Sequence, residues 1–406
     1  MASLAEAEEL DAHDPLASRR ELFVGSDDPS IVAYLDGNSL GRPLRASATR
    51  LASFVPDAWG SRLIRGWDEE WFDLPLALGD RIGAVTLGAA PGQVAVGDST
   101  TVLLYKLIRA AVDARPGRRE IVVDTDNFPT DRYLVEGIAA ERGLALRWIE
   151  SDTRGGVTPL QLEAVLSDQT ALVLLSHVAY RSGFLADVPA LTTLAHGAGA
   201  LVLWDVCHSV ASVPIELDDW GVDIAVGCTY KYLNGGPGSP AFVYVRRDLH
   251  EQLVQPIQGW MGHAAPFEMG PGYAPAPGMR RFLSGTPSIV GMQALPDMVD
   301  LIDEVGMPAI RTKSETLTRF AIEAVDDWPA SWGVEVATPR EPGHRGSHVT
   351  IEHPAFERIT AELWRRGVIP DFRAPRGMRV GLSPLSTSHV ELFNGLEIVK
   401  QMLVRR

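Results

Sequence analysis

The chain has 406 residues, 46% of them hydrophobic and 22% charged, with a formal net charge of −15. That size calls for more than one core, and the composition is that of a globular protein. The negative charge repels phosphate backbones and anionic lipid, so nucleic acid and membrane are not the expected partners. Two cysteines, Cys207 and Cys228, are too few for a disulfide framework and fit a reducing compartment. The first twenty residues are acidic and lack an apolar stretch, and no run elsewhere is long enough to span a bilayer, so the expected location is cytoplasmic.

In chain order, IVAYLD (31–36) reads as a short strand followed by the turn GNSLG, and a helical pattern runs from about 43 to 54. A segment rich in Trp and acidic residues, WGSRLIRGWDEEWFDL, follows. A regular alternation then begins. QVAVGD, IVVDTD, LALRWIE, ALVLLSH, ALVLWD, DIAVGC and AFVYVR are apolar strands. TVLLYKLIRAAVDA, DRYLVEGIAAERG, PLQLEAVL and ALTTLAHGAG have helical spacing. Apolar strands alternating with amphipathic helices predict an α/β fold, a mostly parallel sheet sandwiched by helices. Residues 255–287 are irregular and rich in Gly and Pro, the mark of a functional or interfacial loop. Helices over about 288–327 and a looser mixture of strands and helices to the end predict a smaller α+β C-terminal domain. The expected division is an N-terminal segment (1–58) packing with the small domain, a large domain (59–287) and the small domain (288–406).

No G-x-G-x-x-G follows a strand, and neither G-x-x-x-x-G-K-[ST] nor H-E-x-x-H occurs, which removes support for nicotinamide, P-loop and zincin chemistry. No metal site is expected. Gly37-Asn38-Ser39-Leu40-Gly41 matches the G-x-S-x-G of serine hydrolases. It precedes the main sheet, however, and a Gly/Asn turn explains it as well.

Asp205 ends the apolar strand ALVLWD. A carboxylate there is costly without a cation or strong donor, and it reads as a helix cap, a structural ion pair, or the acid that holds a pyridinium N–H. Lys231 ends the next strand's extension in GCTYKYLNGGPGS. A lone lysine at a strand end is ordinarily solvated. Paired with Asp205, it suits covalent attachment of pyridoxal 5'-phosphate, which needs a lysine and an acid for its ring nitrogen. Ser99, Thr100 and Thr101 open a helix, where they serve as simple caps or as a phosphate site, with His208 and Tyr230 as further donors. Phe128, after strand IVVDTD, reads as core filler or as a ring that stacks on a flat cofactor. Arg379, in MRVGLS, reads as a salt-bridge partner or a carboxylate clamp.

Together these stretches resemble kynureninases, which are fold-type-I pyridoxal-phosphate enzymes. The resemblance runs over almost the full length and rests on YLDGNSLG, LIRGWDEEW, NFPTD, LWDVCHS, GCTYKYLNGGPGS, GWMGH, RGSHVTIEHP, RGVIPDFRAP and MRVGLSPL. It implies a hydrolase that cleaves the Cβ–Cγ bond of L-kynurenine, or a ring-substituted relative, to an anthranilate and L-alanine. Such an activity belongs to tryptophan catabolism and NAD biosynthesis. It implies Lys231, Tyr230 and Asp205 as catalytic residues, with Thr100, Thr101, Phe128, Asp131, Ser176 and His208 completing the cofactor site. Trp260 and Thr286 match residues that reach the neighbouring subunit's cofactor, implying a homodimer with shared active sites. Arg379, Trp67 and Ser39 match substrate contacts. A cysteine desulfurase or an epimerase of the same fold is the alternative, with a serine hydrolase using Ser39 more remote. Met261 and Ser386 depart from the family pattern, which places aromatic residues there. If either lines the aryl pocket, a substituted kynurenine is the expected substrate.

Overall fold

The computed structural model describes residues 2–404. Seven strands form the large sheet. They are β2 (Val94–Val96), β3 (Glu120–Asp124), β4 (Ala145–Ile149), β5 (Thr170–Ser176), β6 (Leu201–Asp205), β7 (Ile224–Gly227) and β8 (Phe242–Val245), in the order β2-β8-β7-β6-β5-β3-β4. All run parallel except β8, which is antiparallel to both neighbours, so β2 points the same way as β7. Most of these strands are buried on both faces, which is why they read as continuous apolar runs rather than alternating ones. Helices Thr100–Asp113, Pro129–Arg142 and Val188–Gly197 follow β2, β3 and β5. Gly143, in the left-handed region at φ 65°, ends the second of them.

The smaller sheet is built from β1 (Ala33–Leu35), β9 (Glu335–Val336), β10 (His348–Glu352), β11 (Val368–Arg373) and β12 (Gly377–Gly381), in the order β1-β11-β12-β10-β9. Its first strand comes from near the N-terminus and pairs in parallel with β11, Ala33 opposite Val368. The fold is thus α/β with a mostly parallel large sheet between helices. The helix Leu295–Val305 buries Leu295, Met298, Val299 and Ile302 in the core beside the large sheet.

The sequence reading differs in two local respects. PLQLEAVL is helical only over Pro159–Glu163, and VIPDFR, unassigned by pattern, is strand β11. Among the described residues no helix is long and apolar enough to cross a membrane.

Candidate active site

Because β2, β3, β5, β6 and β7 are parallel, the segments that leave their C-terminal ends emerge along one edge of the sheet. Ligands bind at such an edge in open α/β folds. β2 leads to Thr100 and Thr101, β3 to Phe128 and Asp131, β5 ends at Ser176, β6 at Asp205 with His208 three residues on, and β7 leads to Tyr230 and Lys231. Nine residues scattered between positions 100 and 231 are thereby assembled by topology alone.

Lys231 is buried. Its Nζ lies 3.2 Å from Nε2 and 3.4 Å from Nδ1 of His208, and about 6 Å from the ring centres of Phe128 and Tyr230. Burial, followed by the charge of Lys231, pushes the His208 imidazole well below its ordinary value, so it is neutral. Asp205 is buried opposite Ser176 in the β5–β6 register, and its Oδ1 accepts the Cys207 N–H at 2.7 Å. Ser176 donates to Asn127 Oδ1 at 2.8 Å, and the same oxygen accepts the Phe128 N–H at 2.7 Å, which sets the start of the Phe128 loop.

Asp131 is fully buried and neither carboxylate oxygen has a hydrogen-bond partner. Burial first, then the charges of Asp205 and Asp124, raise its carboxyl well above the usual range. Tyr230 is also raised, by burial and then by the Cys228 and Cys207 thiols, and so keeps its proton at neutral pH. The segment around Lys231 is a series of bends rather than extended strand, so side-chain alternation does not govern Tyr230 and Tyr232. Tyr230 is 36% exposed, whereas Tyr232 is buried and donates to the Ser347 carbonyl at 3.2 Å. The glycines that follow carry the tight turn, Gly236 at φ 82° and Gly238 at φ 81°.

The two most distinctive motifs touch. The Gly41 N–H donates to the Tyr230 carbonyl at 2.9 Å, and a Cβ on Gly41 would overlap the Lys231 carbonyl oxygen and the Asn234 side chain. The glycine of GNSLG is therefore needed for close approach to the lysine turn. Gly41→Ala should displace that backbone, at a cost of about 1–3 kcal/mol in stability. Activity should fall more than the population of folded protein does. Parental kcat/KM and melting temperature in this variant would refute the account.

Ser39, in the same motif, has the wrong neighbours for a hydrolase nucleophile. Its Oγ lies 2.8 Å from Arg379 Nη2 and bonds Asp36, so a cation and an acid engage it rather than an imidazole. Arg379 is buried on β12. It donates from Nη1 to the Tyr180 carbonyl at 2.7 Å and from Nη2 to Asp371 at 2.6 Å.

Three predicted residues stand apart from this group. Trp67 packs edge-on against Trp71, with Phe54 and Ile289, in a separate aromatic cluster. Trp260, 38% exposed, and Thr286, also exposed, lie in the irregular loop. That loop is tied to the approach of helix Thr100–Asp113 through Ser284 and Lys106, which both bond Asp98. No hydrogen bond joins Trp67, Trp260 or Thr286 to Lys231 among the described residues.

The two departures from the family pattern are both closed to solvent. Met261 is buried in the core with Leu107 and Phe282, and Ser386 is buried beside Tyr232 and Asn234. Asp371 escaped the sequence reading because its strand was not recognised. Its register opposite Arg379 is the signal that was missing.

This site suits pyridoxal phosphate on its own features. A buried amine faces a neutral imidazole, a buried acid pair has two oxygens without partners, and a helix of fourteen residues opens with free N–H groups beside them.

Residues 93–363 match the aminotransferase class-V family. The chain is 42% identical to a kynureninase of Pseudomonas fluorescens over 98% of its own length and 94% of the relative's. It is 43% identical to a kynureninase of Burkholderia pseudomallei, covering 99% and 96%. Among solved structures it superposes on an apo cysteine desulfurase from Thermococcus onnurineus, with TM-score 0.77, 18% identity and 98% of both chains covered. A cysteine desulfurase from Escherichia coli gives TM-score 0.80 at 17% identity, covering 96% and 98%. The desulfurases share the fold alone, and the chain belongs to the kynureninase family of class-V aminotransferase-like enzymes.

Proposed function

We propose that this protein is a pyridoxal-phosphate-dependent hydrolase that adds water across the Cβ–Cγ bond of L-kynurenine, giving anthranilate and L-alanine. The observation that carries the reading is the buried Lys231 amine on the same sheet edge as Asp205, in a chain 42% identical to a kynureninase over nearly its full length. When bound, the cofactor supplies an electron sink for negative charge at the substrate's α- and β-carbons.

The protein's residues do the rest. Lys231 would hold the cofactor, and its amine, when free, would take the Cα proton. Asp205 would keep a proton on the cofactor's ring nitrogen, with Asp131 near it. Phe128 would cover the ring face. Thr100, Thr101, His208 and Tyr230 would hold the phosphate, and Ser176 orders the Asn127–Phe128 turn. Tyr230, which retains its proton, is the acid for Cβ. Arg379 would clamp the α-carboxylate, with Ser39 at its side, and the resemblance alone assigns Trp67 to the aryl end.

We also place the protein in the cytoplasm as a homodimer whose Trp260 and Thr286 reach the partner's cofactor. What supports the dimer is the exposed apolar surface of the same loop, with Phe267 60% and Met269 76% exposed. Two free cysteines support a reducing compartment.

The purified protein should be yellow, bleach with borohydride, and release fluorescent anthranilate from kynurenine. A coloured protein that leaves kynurenine intact while consuming cysteine would transfer the reading to the desulfurases. Measuring kcat/KM over kynurenine, 3-hydroxykynurenine and other ring-substituted analogues sets the substrate. Met261 and Ser386 are both buried, and a clear preference for plain kynurenine would show that neither change alters the aryl pocket.

A further inference from the structure

The guanidinium of Arg379 is already engaged by a carboxylate. Nη2 makes two contacts, to Ser39 Oγ at 2.8 Å and Asp371 Oδ2 at 2.6 Å, and Nη1 reaches the Tyr180 carbonyl. The Nε–H is buried and has no acceptor. A carboxylate binds a guanidinium strongly through two parallel N–H groups, and Nε shares its edge with Nη2. A bidentate anion must therefore displace Ser39 or Asp371. Ser39 is neutral, whereas Asp371 would repel the newcomer at close range. Asp371 also has somewhere to go. The same oxygen that meets Arg379 lies 2.9 Å from Arg373 Nη2, two residues along β11, and Arg373 is about one-third exposed. Asp36 adds a second acid to the group. It is half-buried, with a buried Oδ1 unpartnered, and faces Ser39, Asp371, Arg379 and Arg373.

We propose that Asp371 is a resident stand-in for the substrate α-carboxylate on Arg379, and that Arg373 takes Asp371 over when substrate enters. Asp371 and Arg373 are thus positioning residues that set substrate affinity by a carboxylate-for-carboxylate exchange. No bond is made or broken and the charge of the cluster changes only by that of the substrate. The proposal rests on the reading of Arg379 as the carboxylate clamp.

The test is steady-state kinetics of the holoenzyme with L-kynurenine. Asp371→Asn removes the competing charge at constant shape, and KM should fall about three- to tenfold with kcat little changed. Asp371→Glu, which keeps the charge, should leave KM at or above the parent's. Arg373→Met strands Asp371 on Arg379 and should raise KM by a similar factor. In the Asp371→Asn background the same Arg373→Met change should have no effect. Inhibition by the amine that lacks the α-carboxylate should be indifferent to all of these.

A rise in KM for Asp371→Asn, or an Arg373→Met effect that persists without Asp371, overturns the exchange. The clamp itself is tested separately. Arg379→Lys, which cannot offer parallel donors, should raise KM at least about tenfold. If it does not, the clamp reading fails and takes the exchange with it. If it does while the double variant shows additivity, the clamp stands and the exchange alone falls.

Discussion

Lys231→Ala should give a folded protein that turns over kynurenine at least about a thousandfold more slowly than the parent, because it loses both the covalent anchor and a positioned proton carrier. Protein isolated from this variant should neither bleach with borohydride nor keep the cofactor through dialysis. Lys231→Arg separates charge from nucleophilicity. It keeps a cation near His208 but lacks the amine, so it should be equally inactive. Turnover above about one-hundredth of the parent's in Lys231→Ala would remove this lysine from the mechanism.

How far the sequence disclosed this arrangement depended on how local each signal was. The large sheet was legible because strands such as ALVLLS and LVLWD are buried on both faces and helices such as Thr100–Asp113 carry an apolar stripe. Lys231 and Asp205 were legible because each ends or follows such a strand, and parallel order fixes both at one edge. The direction of Tyr232 was not legible, because alternation applies to extended chain and the bends begin before it. The pairing of β1 with β11 joins segments more than 300 residues apart, for which three strand residues carry no local mark. Asp371 was invisible for a related reason. VIPDFR contains Pro, Asp and Arg and lacks clean alternation, so its pairing with β12 and its contact with Arg379 emerge only in three dimensions. Met261 illustrates the limit of reading a single departure from a pattern. Its neighbours in the core, not the loop it belongs to, decide what the change means.

The two acids beneath Lys231 should respond to substitution very differently. Asp205 is anchored by the Cys207 N–H and lies opposite Ser176, so its carboxylate is held in place for the ring-nitrogen role proposed above. Asp205→Asn should cut kcat by roughly a hundred- to ten-thousandfold and loosen the cofactor, since an amide cannot balance that positive charge. Asp131, raised by burial and by the Asp205 and Asp124 charges, holds a proton to higher pH than an ordinary aspartate does. Asp131→Asn keeps the shape of the group without its charge, and should cost about tenfold in kcat or less.

The same shift fixes a pH signature. A carboxyl raised in the folded state binds a proton that the unfolded chain has released, so its stabilising contribution is complete below the ordinary aspartate value. That contribution is lost as pH rises from there toward the raised value. Thermal scans of the cofactor-free protein should show the melting temperature falling across that interval, and Asp131→Asn should flatten the fall. Equal losses of kcat in the two variants would mean that the acids share the ring-nitrogen role instead of dividing it. An unchanged pH slope in Asp131→Asn would mean that the buried proton resides elsewhere in the pair.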